Sequence, residues 1–308
     1  AENNISKPTE IQEKAIPFIL NSRTNLVAVA QTGTGKTAAF GLPILQQINP
    51  ALQQTQVLVL VPTRELGQQV AKDVFVFSRY IVRIHTEAVF GGKKIEENIK
   101  KLEVPRHVLV ATPGRLLDLV SRKIVDLSYL KFLVLDEADE MLNMGFAEDL
   151  EAILESTPKT RQTALFSATL PPRIASIAQR QLRDPVMVKI DREVVPDGES
   201  ARVRQVAYMV PRAHKMSALA RVLDLEHPTS AIVFCRTRTE VDELTETLIG
   251  RGTRAEALHG GLSQDQRDRV MNKFRARKTD LLIATDVAAR GLDVKHVSHV
   301  VNFDVPVD

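Results

Sequence analysis

The feature that most constrains this chain is residues 25–37, Asn-Leu-Val-Ala-Val-Ala-Gln-Thr-Gly-Thr-Gly-Lys-Thr. Leu26 to Ala30 read as a short buried strand, and the apolar-periodic stretch from Thr37 reads as a helix. Between them lies a glycine-rich turn, so the segment has the strand–loop–helix form of a phosphate-binding loop. Gly33 and Gly35 permit backbone angles that a Cβ forbids, which lets successive N–H groups turn inward on a phosphate. Lys36 supplies a charge for the β- and γ-phosphates, and Thr37 a hydroxyl for Mg²⁺. The helix start behind them favours anions. Ala30 stands where the general pattern has glycine.

Several later segments repeat the design of a buried strand ending in polar residues. Gln56 to Val61 ends at Pro62-Thr63-Arg64-Glu65-Leu66, and His107 to Ala111 ends at Thr112-Pro113-Gly114-Arg115. Phe132 to Leu135 ends at Asp136-Glu137-Ala138-Asp139, and Thr163 to Phe166 at Ser167-Ala168-Thr169. Near-continuous apolar runs suit parallel strands covered on both faces. In an open α/β sheet, ligands gather at the carboxyl ends of such strands. Gly91-Gly92 precedes a lysine-rich helical stretch, Lys93 to Leu102. Nearer the N-terminus, Pro8 and Thr9 suit a helix start, with Ile11, Ala15, Ile16 and Ile19 on one face. On spacing alone, Gln12 is a solvated helix residue.

The pattern breaks from Pro185 to Arg204 and then resumes. Ala231 to Phe234 leads to Arg236-Thr237-Arg238-Thr239, and Asp280 to Ala284 to Thr285-Asp286. The segments 57–70 and 231–244 share one form: apolar strand, Thr and Arg, then a helix. The length, 308 residues, suits about two domains. The expected division is 1–190, a linker at 191–204, and 205–308. The second domain has no Gly-x-Gly-Lys-Thr.

Chemistry follows from these strand ends. A carboxylate at Asp136 can hold Mg²⁺ through water, and Glu137 can take a proton from an attacking water. With Lys36 and Thr37 they are equipped for in-line attack on a γ-phosphate. Arg64, Arg115, Arg236, Arg238 and Arg290 beside strand ends suggest contacts along a polyanion. A net charge of +3 permits such a partner without requiring it. Aromatic residues are only 5%, with no Trp, so backbone contact rather than base stacking would carry affinity. The single Cys235 excludes an intrachain disulfide and a cysteine-based zinc site and reads as a core thiol. It fits a reducing, cytoplasmic setting. Residues 37–63 carry no charge, but Pro43, Pro50, Pro62 and five glutamines argue against a membrane span, and no signal-peptide core opens the chain.

These motifs, in this order, resemble the DEAD-box family of ATP-dependent RNA helicases. The match runs from Pro8-Thr9-Glu10-Ile11-Gln12 through the segments above to Ile232-Val233-Phe234, His259-Gly260, Gln264 to Arg267, and Ala284-Thr285-Asp286-Val287-Ala288-Ala289-Arg290-Gly291-Leu292-Asp293. It looks closest to bacterial members. The resemblance implies an α/β chain of two tandem RecA-like parallel-sheet domains, the second incomplete, using ATP and Mg²⁺. Ala30, Gln31, Thr32, Gly33, Thr34, Gly35, Lys36 and Thr37 are then nucleotide contacts, with Gln12 reading adenine and Gly291 and Asp293 reaching the nucleotide from the second domain. Lys36, Asp136 and Glu137 carry catalysis, and Thr37 and Asp136 the metal. Arg64, Gly92, Thr112, Arg115, Gln264, Arg267 and Thr285 line the RNA track, touching phosphates and 2′-hydroxyls with little sequence reading. Ser167 and Thr169 couple nucleotide state to domain closure through Asp139.

Three departures from the family pattern stand out. Gly67 replaces the usual Ala, with no expected consequence. An upstream adenine-stacking aromatic is missing. The chain reaches Val305-Pro306-Val307-Asp308 without the arginine-finger motif His-Arg-x-Gly-Arg, so the expectation is ATP binding with poor hydrolysis. An ATP-gated RNA clamp or chaperone without processive unwinding is the alternative. A small-molecule phosphate-loop enzyme is a more distant one, and DNA a less favoured substrate. The motifs name neither a particular RNA nor a protein partner.

Overall fold

The computed structural model describes residues 7–79, 81, 84–92, 94–190, 203–289, 294 and 296–305. The chain divides into two compact units, Ala1–Val194 and Val195–Asp308.

The first unit runs α1 (Glu10–Asn21), β1 (Leu26–Val29), α2 (Lys36–Leu45), β2 (Val57–Leu60), α3 (Arg64–Phe77), β3 (Thr86–Val89), α4 (Ile95–Leu102), β4 (Val108–Ala111), α5 (Pro113–Ser121), β5 (Phe132–Leu135), α6 (Ala138–Asn143), α7 (Ala147–Ser156), β6 (Gln162–Ser167), α8 (Pro172–Gln181) and β7 (Val186–Lys189). Its sheet is seven-stranded with order β3-β4-β2-β5-β6-β1-β7, and every pairing is parallel. Alternate residues of the inner strands enter opposite cores. Val57, Val59, Val108 and Val110 pack with α1, α2 and α3, while Leu58, Leu60, Leu109 and Ala111 pack with α5, α7 and α8. That is why these strands read as unbroken apolar runs. Each fully buried Val or Leu contributes about 1.5–3 kcal/mol.

The second unit runs α9 (Lys215–Glu226), β8 (Ala231–Cys235), α10 (Arg238–Gly250), β9 (Ala255–Leu258), α11 (Gln264–Arg275), β10 (Leu281–Thr285), α12 (Asp286–Ala289) and β11 (His299–Asn302). Its four described strands are parallel in the order β11-β8-β10-β9. Again the sheet has two faces: Ala231, Val233 and Ile283 on one, Ile232, Leu282 and Ala284 on the other. Cys235 is buried in the first of these cores, and burial pushes its thiol up to about 12. It is a core thiol, as its apolar neighbours suggest.

Two expectations change. The break in pattern at Pro185 hides a strand: β7 pairs with β1, Leu26 opposite Val186 and Val29 opposite Lys189. It is an edge strand with mostly exposed side chains, so it lacks the apolar run that marks its neighbours. Gln12 is not solvated but 6% exposed, because α1 lies on the glycine turn after β1 and that residue faces it. Most of the expected linker, 191–202, lies outside the described residues, as do Arg290, Gly291, Leu292 and Asp293. Among the described residues no helix is long and apolar enough to cross a membrane.

Candidate nucleotide and polyanion site

Since all strands of the first sheet run the same way, their carboxyl ends share one edge. Backbone bonds tie neighbouring ends together there. Ala30 N–H donates to Ser167 O at 2.9 Å, Asp136 N–H to Leu60 O at 2.9 Å and Val61 N–H to Ala111 O at 3.0 Å. The strand order then sorts the candidate residues. The loops after β5, β6 and β1 carry Asp136–Asp139, Ser167–Thr169 and the phosphate loop. The loops after β3, β4 and β2 carry Gly92, Thr112–Arg115 and Arg64.

In the phosphate loop, Gln31, Thr32 and Gly33 are exposed. Gly33 and Gly35 take φ of +80° and +89°, the left-handed region that costs other residues about 1 kcal/mol or more. A Cβ on Gly35 would also lie 2.3 Å from Gln12 Nε2. Thr34 Oγ1 donates to Gln31 O at 2.7 Å. Lys36 begins α2, is 6% exposed, and turns its Nζ back towards Ala30 O at 3.4 Å, too long for a strong bond. Thr37 follows in the first turn of α2.

Gln12 is committed at both ends of its amide. Its Nε2 donates to Gly35 O at 3.1 Å, and its Oε1 accepts the Thr9 N–H at 3.1 Å. Thr9 Oγ1 donates to Thr34 O at 2.8 Å. Thr9 thus belongs to the loop's support, a role the sequence reading missed. Its place three residues before Gln12, at a helix start, was the available signal.

Asp136 is 3% exposed. Burial raises its pKa, opposed by the charge of Lys36 and by the Glu137 N–H, which it accepts at 3.1 Å. Glu137 sits in the left-handed region at φ 53°, an uncommon conformation for a non-glycine residue. Burial first, then the charge of Asp136, pushes its pKa up to about 7. A carboxylate poised there is suited to accept a proton near neutral pH. Asp139 behaves oppositely. Burial would raise its pKa, but hydrogen bonds from Thr169, Ser167 and nearby backbone outweigh that and hold it low. Thr169 donates both N–H and Oγ1 to Asp139 Oδ2 at 2.8 Å, and Ser167 Oγ accepts the Asp139 N–H at 3.1 Å. The structure brings these three residues together.

Asp136 and Thr37 are hard oxygen donors beside a phosphate loop, and Asp136 is a buried carboxylate with a lysine's charge acting on it. This donor set fits a magnesium-like cation.

On the other half of the edge, Arg64 is the first residue of α3, which Thr63 caps by accepting the Leu66 N–H at 3.3 Å. Gly92 is exposed with φ +85°. Thr112 is the N-cap of α5, and its hydroxyl makes no capping bond. Arg115 Nη1 donates to Asn98 Oδ1 at 3.0 Å, so the buried Asn98 of α4 aims it. Gly67 carries more than expected. A Cβ there would lie 2.3 Å from Phe90 Cε1, so the Phe90 ring occupies the room that alanine would need.

In the second unit, Gln264 opens α11 and its Nε2 donates to Asp268 Oδ1 at 2.9 Å. Arg267 Nη2 donates to Ala288 O at 3.1 Å. Thr285 ends β10 and is partly exposed. Gly291 and Asp293 fall outside the described residues.

Residues 9–177 match the family model described as DEAD/DEAH box helicase, and residues 214–308 match the helicase conserved C-terminal domain. The chain is 46% identical over 307 residues to RNA helicase CrhR of Synechocystis, covering 99% of this chain and 61% of that protein. It is 46% identical over 302 residues to DEAD-box ATP-dependent RNA helicase CshA of Geobacillus kaustophilus, covering 97% and 63%. It therefore spans about three fifths of the length of these curated relatives. Among solved structures, S. cerevisiae Dbp5 bound to RNA and ADP BeF3 matches with a TM-score of 0.87 at 32% identity, covering 99% of this chain and 77% of that one. With its two parallel sheets, its ordered motifs and these matches, the chain belongs to the DEAD/DEAH box helicase family.

Proposed function

We propose that this chain is the ATPase core of an ATP-dependent RNA helicase that grips an RNA backbone and locally opens short duplexes. The observation that carries the reading is the end of β5, where the buried Asp136 adjoins the half-buried Glu137 in a left-handed turn, both under the charge of Lys36, and burial with the charge of Asp136 raises the Glu137 pKa to about 7. The RNA-helicase names of its relatives and the RNA and ADP BeF3 bound to the Dbp5 neighbour support the choice of ligands.

In this reading the amides of Gly33 to Thr37 receive the β- and γ-phosphates, and Lys36 swings from Ala30 O onto them. Gln12 exchanges Gly35 O for adenine. Thr37 and Asp136 would hold Mg²⁺, which when bound would supply positive charge against the phosphate's developing negative charge. Glu137 accepts the proton of the attacking water. Loss of the γ-phosphate is sensed at Ser167, whose carbonyl holds Ala30 N–H and whose hydroxyl holds Asp139, and it passes to Thr169. Arg64, Gly92, Thr112, Arg115, Gln264, Arg267 and Thr285 hold RNA phosphates and 2′-hydroxyls. Gly291 and Asp293 keep the nucleotide-contact role their motif implies. A reducing compartment such as the cytoplasm suits the single buried thiol.

The test is mutual coupling. ATP turnover is measured with and without single-stranded RNA, and RNA affinity with and without a non-hydrolysable ATP analogue. Each ligand is expected to promote the other's effect. A chain in which neither responds to the other is not an RNA motor, and the small-molecule reading replaces it. Strand separation under multiple turnover distinguishes the helicase from an ATP-gated clamp, which retains RNA without releasing it.

A further inference from the structure

The turn leading into α11 is held by a side chain that the proposed reaction leaves without a role. His259 follows β9 and is 7% exposed. Its Nδ1 accepts the Gly261 N–H at 3.1 Å, and its Nε2 lies 2.9 Å from Oδ1 of Asp242 on α10. A ring nitrogen that accepts an N–H carries no proton, so the proton sits on Nε2 and is donated to Asp242. The imidazole is thus a two-ended strut with a fixed tautomer. One end holds the backbone of a turn and the other holds a helix.

The surroundings leave this turn little freedom. A Cβ on Gly261 would lie 3.0 Å from the imidazole, and one on Gly260 would lie 3.3 Å from Arg238 Nη2. Leu262 N–H closes the turn on His259 O at 3.2 Å. Ser263 then caps α11, with its N–H donated to Gln266 Oε1 at 2.8 Å and its hydroxyl accepting the Gln266 N–H at 3.4 Å. Gln264 and Arg267 lie in the turn that follows. Arg238 and Asp242 are four residues apart and share one face of α10. The strut therefore sets the distance between two helix starts that both present polyanion donors.

We propose that His259 is a positioning residue for RNA-backbone binding: by bridging Gly261 and Asp242 it fixes Gln264 and Arg267 of α11 against Arg238 of α10. The inference rests on the RNA-binding reading of this unit. A histidine that merely fills the core owes nothing to either bond, whereas here each end can be cut separately. His259→Asn keeps an acceptor near the Nδ1 position and loses Asp242. His259→Gln keeps a donor near the Nε2 position and loses Gly261. His259→Ala loses both. Asp242→Ala removes the helix anchor alone, from a carboxylate that is half exposed.

The experiment measures the affinity of a fluorescent single-stranded oligouridylate for the full 308-residue chain in a non-hydrolysable ATP analogue. Affinity for the analogue and thermal unfolding are measured alongside. His259→Ala is expected to weaken RNA binding about tenfold, and the three single-end variants about threefold each, with affinity for the analogue unchanged. RNA affinity within about twofold of the unsubstituted chain in a folded His259→Ala variant overturns the proposal. If that variant fails to fold, Asp242→Ala and His259→Asn decide by the same criterion. If the unsubstituted chain binds the analogue but no RNA, the functional reading falls and this proposal falls with it.

Discussion

The segments β2–Thr63–α3 and β8–Thr237–α10 are built alike. Each is a buried parallel strand followed by a threonine N-cap and a helix whose first residue is arginine. Thr63 Oγ1 accepts the Leu66 N–H at 3.3 Å, and Thr237 Oγ1 the Glu240 N–H at 3.2 Å. Their neighbours differ. Beside β2 lies β5, which ends in Asp136, 3% exposed, and the left-handed Glu137. Beside β8 lies β10, which ends in Thr285 and the exposed Asp286. A Thr–Arg strand end that can grip a polyanion needs only a parallel strand and a helix start. Acid–base chemistry needs carboxylates taken out of water beside a fixed cation. Among the described residues, the carboxylate buried to 3% exposure, Asp136, belongs to the first unit, whereas the second unit's Asp304 is spent on an ion pair with Lys215.

The contrast is broken most directly at Glu137. Glu137→Gln is expected to lower ATP turnover by about 10²–10⁴-fold, the usual contribution of a general base, with affinity for an ATP analogue preserved. Single-turnover hydrolysis measures this, and undiminished turnover would remove the asymmetry between the units.

Next in size is the pH dependence of stability. The Glu137 pKa is raised to about 7, above its value in the unfolded chain. Between the two values the native state binds more protons, so stability falls as pH rises through that window. The loss is about 3 kcal/mol at most. Glu137→Gln should therefore be more stable than the parent at pH 8 and similar at pH 4. Melting curves across that range check it. Turnover in the parent should rise over the same interval as the base loses its proton.

Glycines sharpen the comparison at lower cost. Gly35 and Gly252 both have positive φ, +89° and +85°, but a Cβ at Gly252 meets open space. Gly252→Ala should cost about 1 kcal/mol from backbone strain alone. Gly35→Ala adds a collision with Gln12 and should cost about 2 kcal/mol or more and abolish ATP-analogue binding. The smallest effect belongs to the paired caps. Thr63→Ala and Thr237→Ala should each cost about 1 kcal/mol in urea unfolding. A large difference between them would show that the two segments are not equivalent.

Much of this arrangement is legible in the sequence, for a physical reason. Strands covered on both faces must be apolar throughout, so β1, β2, β4, β5, β6, β8 and β10 announce themselves, and the polar residues after them mark the site edge. Strands at or near sheet margins do not. β3 reads Thr-Glu-Ala-Val, β9 Ala-Glu-Ala-Leu, and β7 is mostly exposed. The period of α1 placed Ile11, Ala15 and Ile19 correctly, but it cannot tell that the polar Gln12 is buried against the phosphate loop, where it donates to Gly35 O. Nor does spacing reveal that Asn98 aims Arg115, or that Asp242 and His259 meet across 17 residues. Those pairings exist only once the helices are packed.

The order β3-β4-β2-β5-β6-β1-β7 has a consequence for how such a protein can be altered. The loops bearing Arg64, Gly92, Thr112 and Arg115 come from one uninterrupted stretch, β2 through α5. The phosphate loop precedes it, and Asp136 and Ser167 follow it. In the fold that stretch meets the rest of the sheet along a single seam, β2 against β5, with Val57 opposite Phe132 and Leu60 opposite Leu135. It is a cassette with one strand-to-strand joint in the sheet, beside which His107 also bonds Pro50 O and the Gln56 N–H. A graft that keeps the seam's register and the helix contacts around it can exchange the polyanion loops as a block while the residues around the nucleotide stay as they are.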